Sequence, residues 1–343
     1  MKEAAIEGRG KGACGRWGKG KEDVADGMDA GGAEEESAGA GGANERKGKG
    51  YICNMKAGFV SIFGKPNAGK STLLNALMGE KLAIVSPKVQ TTRHRIKGIL
   101  TEKDYQIIFS DTPGIIEPRY KLHEKMMQAV KNSLEDADLA LLLLDIRDDW
   151  EENNKLFEAL RLKSPGIVVL NKCDGMPAEK LAEARAFFTG KTYAREIVAI
   201  SALKKTNLAG LLEAVLRFLP EGEPFFDGDD LTDLPTKFFV GELIREKIFH
   251  LYGDEIPYHA AVLVQEFQEK TTLTKIRADI IVQRETQKGI ILGEGGKMIR
   301  ELGSLARKDI EAFIDRKVFL ELFVKVRPKW RDTENFLKEY GYN

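Results

Sequence analysis

Four short clusters of residues carry spacings that could do chemistry. Gly64-Lys65-Pro66-Asn67-Ala68-Gly69-Lys70-Ser71, continued by Thr72, fits G-x-x-x-x-G-K-[ST]. Gly64, Ala68 and Gly69 let backbone N–H groups wrap phosphates at a helix N-terminus. Lys70 adds a cation against the transferring phosphoryl group, and the Ser71 hydroxyl can reach a magnesium ion. Asp111-Thr112-Pro113-Gly114 offers a carboxylate for the magnesium shell and, at Gly114, a contact for the γ-phosphate. Asn171-Lys172-Cys173-Asp174 and Ser201-Ala202-Leu203 would hold a base. The Asp174 carboxylate can accept from both the ring N–H and the exocyclic amino group of guanine, an arrangement adenine lacks. The expected ligands are therefore GTP or GDP with Mg2+, and the expected reaction is GTP hydrolysis.

These clusters need strands that end at one edge of a sheet. Short apolar runs at Gly58 to Phe63, Gln106 to Ser110, Leu139 to Asp145, Ile167 to Leu170 and Ile197 to Ile200 each precede a cluster or alternate with helical patterns. Runs this apolar predict strands buried on both faces of a mostly parallel sheet, the doubly wound α/β class, which binds ligands at its strand ends. Leu122, Met126, Val130 and Leu134 recur every four residues, which predicts a helix packed on that sheet.

A fifth cluster lies near the other end of the chain. Ile291-Leu292-Gly293-Glu294-Gly295-Gly296-Lys297-Met298-Ile299-Arg300-Glu301-Leu302 matches the KH pattern of an apolar pair, G-x-x-G, and apolar residues beyond it. Strand-like Ile280-Ile281-Val282 precedes it, and Val318 to Val326 alternates as a strand after it. In KH modules such a loop clamps the sugar-phosphate of single-stranded RNA, which makes Gly293, Gly296, Lys297 and Arg300 the candidate contacts. From Lys270 to Arg331 there are 15 Lys or Arg against 8 Asp or Glu, although the 343-residue chain as a whole has 53 of each sign. The local surplus suits a phosphate-binding face. Glu294 works against it inside the loop.

Composition assigns the remaining chain. Residues 1–54 are Gly-, Ala-, Lys- and Glu-rich and read as disordered, or as an extension of the gene model ahead of Met55. Residues 55–219 form the nucleotide domain, 220–235 a Pro- and Asp-containing linker, and 236–343 a smaller α+β domain whose first helix carries Val240, Ile244, Ile248 and Leu251 on one face. The longest apolar run, Leu139 to Leu144, is too short to span a bilayer. Cys14, Cys53 and Cys173 lie too far apart for a zinc or disulfide framework, which fits a reducing compartment.

The nucleotide motifs resemble those of the translation-factor-like GTPases. Ser86-Pro-Lys-Val-Gln-Thr-Thr-Arg-His-Arg-Ile-Lys-Gly98 resembles the first switch of the Era GTPase family, and the C-terminal stretches from Leu320 through Trp330 to Tyr342 are similar to that family too. The resemblance implies a P-loop GTPase domain joined to a type II KH domain. It aligns Thr92 with the switch threonine that meets magnesium and the γ-phosphate, with Thr91 as the fallback. It implies binding near the 3′ end of small-subunit ribosomal RNA during maturation of the 30S-type subunit, by a cytoplasmic monomer with loose peripheral membrane contact. Asn67 corresponds to the asparagine that holds potassium in K+-activated relatives, although pinning the loop is as good a role for it. Ile115 stands where Ras-like enzymes keep a water-orienting glutamine. It leaves a second reading open, an RNA-binding assembly protein with GTP as a structural ligand.

Overall fold

The computed structural model describes residues 55–253 and 255–342. The reading of residues 1–54 lies outside the described residues. In the nucleotide domain β1 (Lys56–Phe63), α1 (Lys70–Met78), β2 (Ile96–Glu102), β3 (Tyr105–Asp111), α2 (Lys121–Glu135), β4 (Leu139–Asp145), α3 (Trp150–Ala159), β5 (Gly166–Asn171), α4 (Ala178–Phe188), β6 (Glu196–Ala199) and α5 (Leu208–Phe218) follow in order. The sheet runs β2-β3-β1-β4-β5-β6. All neighbours are parallel except β2 with β3. Every residue of β4 and β5 is buried, as expected for central strands covered by helices on both faces. The antiparallel edge strand β2 escapes sequence reading because its first three residues, Ile96 to Gly98, fall in the stretch assigned to the switch and only Ile99 and Leu100 continue it as an apolar pair.

The second layer system comprises α6 (Thr236–Leu251), α7 (Ile256–His259), β7 (Ala261–Glu269), β8 (Thr274–Val282), α8 (Glu285–Leu292), α9 (Lys297–Ile314), β9 (Val318–Val326) and α10 (Glu334–Glu339). Its sheet is β7-β8-β9, with β8 and β9 parallel and β7 antiparallel to β8. Val240, Ile244 and Ile248 of α6 pack with Ile291, Leu302, Ala306 and Ile310 over the inner face of this sheet. The opposite side of α6 is buried as well, including Glu242, Arg245 and Glu246, because it meets the nucleotide domain.

One expectation needs revision. The four-residue repeat of α2 does not pack wholly on the large sheet. Val130 and Leu134 do, whereas Leu122 and Met126 pack with Trp330, Leu337, Tyr340 and Tyr342 from the C-terminal end. The stretch 220–235 is irregular, and hydrogen bonds hold it against the nucleotide domain. Ala57 N–H donates to the Pro220 carbonyl at 3.1 Å and Ile99 N–H to that of Leu231 at 2.9 Å. The Gln106 amide accepts from the Phe225 and Phe226 amides at 2.7 and 3.0 Å and donates to the Phe226 carbonyl at 2.8 Å. Among the described residues no helix is long and apolar enough to cross a membrane.

Candidate functional site

The loop between β1 and α1 brings the first cluster to the carboxyl ends of the parallel strands. Gly69 caps α1 at φ 101, and a side chain there would begin 2.3 Å from the Asn171 amide. Only glycine meets both conditions. The close approach is used: Asn171 Nδ2 donates to the Ala68 carbonyl at 2.8 Å, and Asn171 Oδ1 accepts from the Ala202 N–H at 3.0 Å. One asparagine thus ties the phosphate loop to both base-site clusters.

A cavity of about 580 Å3 opens here. Asn67, Gly69, Lys70, Ser71 and Thr72 line one side and Thr92 and Gly114 another, while Asn171, Lys172, Asp174, Ala202 and Leu203 line the far end. Gly64, Ala68, Asp111, Thr112, Pro113 and Ser201 stand behind this wall as supports. Thr112 Oγ1 donates to the Ile62 carbonyl at 2.7 Å. The Ser201 hydroxyl donates to Asp174, the main cause holding that carboxyl below its ordinary range.

Lys70 is buried, and its Nζ donates to the Gly64 and Lys65 carbonyls at 3.1 and 2.9 Å. Burial pulls its pKa down to about 8 against the opposing pull of Asp111. Burial likewise raises the Asp111 carboxyl, opposed by Lys70 and by hydrogen bonds from Ser71 and Thr92. Asp111 Oδ2 accepts from Ser71 Oγ at 2.6 Å and from Thr92 Oγ1 at 3.3 Å, with the two hydroxyls 2.8 Å apart. Asp111 Oδ1 is buried without a partner. Two hydroxyls and an underused carboxylate at one point form an oxygen donor set that fits a hard divalent cation such as Mg2+. Thr91 lies apart from this group, its hydroxyl donating to the Lys88 carbonyl at 2.6 Å.

Asn67 Nδ2 donates to the Pro87 carbonyl at 2.8 Å, so it pins the switch segment against the phosphate loop. Ile115 packs in the apolar cluster beneath α2 and α3 and brings no polar atom to the cavity. Sequence reasoning missed Arg147, which also lines the cavity. Arg147 and Lys172 bind Asp145 at 2.7 and 2.9 Å. Burial alone would raise the Asp145 carboxyl, but these two cations outweigh it and hold it far below the usual range. Asp145 ends β4 at the ligand edge of the sheet, and that position was the available signal.

The switch segment continues into the smaller domain. Directly after Thr92, the buried Arg93 donates to the carbonyls of Ala260, Pro257 and Tyr258 at 2.7, 2.8 and 3.2 Å. Lys88 donates to the carbonyls of Phe249 and Tyr252 at the end of α6. Arg245 of α6, paired with Glu242, donates to the Thr91 carbonyl. The Tyr252 hydroxyl in turn donates to the Ile291 carbonyl at 2.9 Å, in the last turn of α8.

That turn leads into the second glycine loop. Gly293, Gly295 and Gly296 have φ of 67, 58 and 75, and α9 starts at Lys297. The loop therefore offers backbone donors at a helix N-terminus. Lys297 and Glu294 are exposed. The exposed Arg300 guanidinium donates to the carbonyls of Gly296 and Gly295 at 3.1 and 2.8 Å, which braces the loop from the side of α9.

Fold and site together define a P-loop GTPase carrying a KH RNA-binding domain. A family model described as a 50S ribosome-binding GTPase matches residues 59–172, and one described as a KH domain matches residues 255–331. GTPase Era from Caldanaerobacter subterraneus subsp. tengcongensis is 44% identical over 84% of this chain and 98% of its own length, and GTPase Era from Geotalea uraniireducens matches to the same extent. A crystal structure of Aquifex aeolicus Era bound to GDP and AlF4− superposes with a TM-score of 0.81 at 41% identity, covering 84% of this chain and 99% of that one. A structure of Era in complex with MgGDPNP and nucleotides 1506–1542 of 16S ribosomal RNA has the same score, identity and coverage. The chain belongs to the Era GTPase family.

Proposed function

We propose that the chain is a GTP-driven switch that binds the 3′ region of small-subunit ribosomal RNA and assists maturation of that subunit. The observation that carries this reading is the junction Thr92-Arg93. Thr92 stands with Ser71 and Asp111, while Arg93 is fixed by three backbone carbonyls of the KH domain. One peptide segment therefore joins the nucleotide site to the KH domain. The Era structure holding both MgGDPNP and 16S ribosomal RNA supports the choice of ligands.

In this reading the phosphate-loop amides and Lys70 hold the β- and γ-phosphates, and Gly114 contacts the γ-phosphate. Asp174 selects guanine, with Ala202 and Leu203 against the base. Ser71 and Thr92 would hold magnesium, with Asp111 behind them; the bound ion would offset the charge that develops on the phosphates. Asn67 would keep the switch in place through Pro87, and its side-chain oxygen is the atom a potassium ion would take. In the KH domain, Gly293, Gly296, Lys297 and Arg300 would clamp RNA, with Arg300 also bracing the loop. The division at 55–219, 220–235 and 236–343, a monomeric state, a cytoplasmic location and peripheral membrane contact belong to the same reading, on the strength of family membership.

Linkage gives the test. If GTP favours the RNA-binding arrangement, RNA must favour GTP by the same factor, typically about 5 to 150-fold. RNA affinity is to be measured for a 3′-terminal small-subunit oligonucleotide with a GTP analogue and with GDP. Equal affinities would overturn the switch and leave GTP as a structural ligand, the reading to which apolar Ile115 gives weight.

A further inference from the structure

Between α1 and β2, residues 79–95 include no helix or strand. A segment this long with no ladder of its own takes its conformation from the groups it is bonded to. Thr92 sits near its end, 8% exposed, with its hydroxyl beside Ser71 and Asp111. Both neighbours of Thr92 are held from the smaller domain. On one side Arg245 of α6 donates to the Thr91 carbonyl, and on the other Arg93 is locked onto the carbonyls of Pro257, Tyr258 and Ala260.

Helix α6 grips the same segment further upstream. Glu246 Oε1 accepts from the Val85 N–H at 3.3 Å, and the His250 ring stands 3.2 Å from the Val85 carbonyl. Lys88 Nζ donates to the Phe249 carbonyl at 2.7 Å and to that of Tyr252, the residue that caps α6. The helix side of these contacts is rigid. Arg245 is 1% exposed, and both its Nε, at 2.7 Å, and its Nη2 donate to Glu242, whose carboxylate supplies the counter-charge. The buried Glu246 side chain is itself fixed by Lys81 at 2.6 Å and Lys247 at 3.3 Å. Residues 85, 88 and 91 are thus bonded to one helix whose own side chains cannot wander.

We propose that α6 is a built-in template for the switch segment and that Arg245 is a positioning residue for GTP hydrolysis. Arg245 acts through the Thr91 carbonyl, holding the Thr92 hydroxyl where magnesium and the γ-phosphate need it. The inference rests on the reading of Thr92 as a magnesium contact. It adds that the smaller domain serves the chemistry with no RNA bound. GDP has no γ-phosphate for Thr92 to meet, so its affinity does not depend on this grip.

GTP hydrolysis by the RNA-free full chain is followed as Mg2+ is titrated, for wild type, Arg245→Lys and Thr92→Ala, with thermal unfolding confirming that each is folded. Lysine at 245 keeps the charge against Glu242 but lacks the fork that reaches Glu242 and the Thr91 carbonyl together. It should lower kcat about tenfold or more, raise the Mg2+ concentration needed for half-maximal rate, and leave GDP affinity unchanged. A residue that only supports the fold would lower the unfolding temperature and leave the Mg2+ requirement alone. Unchanged kcat and Mg2+ requirement in Arg245→Lys, with Thr92→Ala impaired, overturns the template and spares the reading of Thr92. A Thr92→Ala protein as active as wild type overturns both. Hydrogen exchange gives a test that needs no variant: residues 85–93 of the nucleotide-free wild type should already be protected, with MgGDPNP adding little. Free exchange there until MgGDPNP is added overturns the proposal, because nucleotide and not α6 would then order the switch.

Discussion

The chain uses one device twice, a glycine loop that presents backbone amides at the start of a helix, and the two copies differ in what surrounds them. The loop at 64–71 is walled in. Lys70 is buried, Asn171 clasps Ala68, and a side chain on Gly69 would collide with that clasp. The loop at 293–296 stands open. Lys297 is exposed, and a side chain added at Gly295 or Gly296 would meet nothing within 4 Å. An enclosed loop can measure the shape of a compact phosphate chain, whereas an open one can follow a polymer backbone that enters and leaves the domain. Selectivity at the first comes from fit and at the second from charge spread over a face.

The strongest way to break this comparison is to give both loops the same substitution. Gly69→Ala should abolish nucleotide binding, because it combines φ 101 with a 2.3 Å approach to Asn171, an expected loss of about 3 kcal/mol or more. Gly295→Ala carries only a left-handed backbone cost of about 1 to 2 kcal/mol and should leave RNA binding measurable. Comparable losses in calorimetric titrations would show that enclosure is not what separates the loops.

Asp174→Asn should come next. An amide can donate to the 2-oxo group of xanthine where the carboxylate accepted from an amino group. Guanine affinity should fall by about 1.5 to 3 kcal/mol per lost charge-assisted bond, with xanthine nucleotide gaining. Unchanged GTP affinity would remove Asp174 from the base site.

Acid should act on the seam between the two regions. Burial, aided by nearby arginines, pushes His94, His123 and His259 each down to about 4. The folded chain keeps these rings neutral while the unfolded chain protonates them below their ordinary value of 6.5. Stability is thus full above 6.5 and is lost as pH falls toward 4. His94 alone should account for up to about 3 kcal/mol, and His94→Gln should flatten that part of a denaturant-midpoint profile against pH. A profile identical to that of wild type would show that His94 does not contribute.

The smallest effect expected is at the open loop itself. Lys297→Glu should weaken RNA binding evenly across sequences and lower the salt slope by about 1, while GTP affinity of the RNA-free protein stays intact. A change in GTP affinity would mean that the loop is less independent than its exposure suggests.

The sequence announced the enclosed site more fully than the seam. Gly64 to Ser71, Asp111, Asn171 and Asp174 were legible because each sits at the end of a strand whose apolar run is unmistakable. Thr92 was placed only by resemblance, yet it stands by Ser71 and Asp111. The roles of Arg93, Lys88 and Arg245 were not legible. They donate to backbone carbonyls about 150 to 170 positions away along the chain, and a carbonyl acceptor leaves no mark on side-chain pattern. The divided face of α2 was hidden for a similar reason, since a four-residue repeat states that a helix is covered but not by what. At Arg300 the charge was visible in the sequence, whereas its hydrogen bonds to the Gly295 and Gly296 carbonyls were not.

The segment 220–235 has a consequence for how copies of this chain behave toward one another. A sheet ends in two rows of unpaired amides and carbonyls, and such rows recruit foreign strands and seed aggregation unless they are short or covered. At one margin β6 has only four residues. At the other, β2 spends the outward N–H of Ile99 on Leu231, while Gln106 of the neighbouring strand grips Phe225 and Phe226 and Lys97 pairs with Asp233 at 2.7 Å. The connector is in this sense a selvedge: it finishes the cloth of the sheet so that a second copy finds no loose thread to pull.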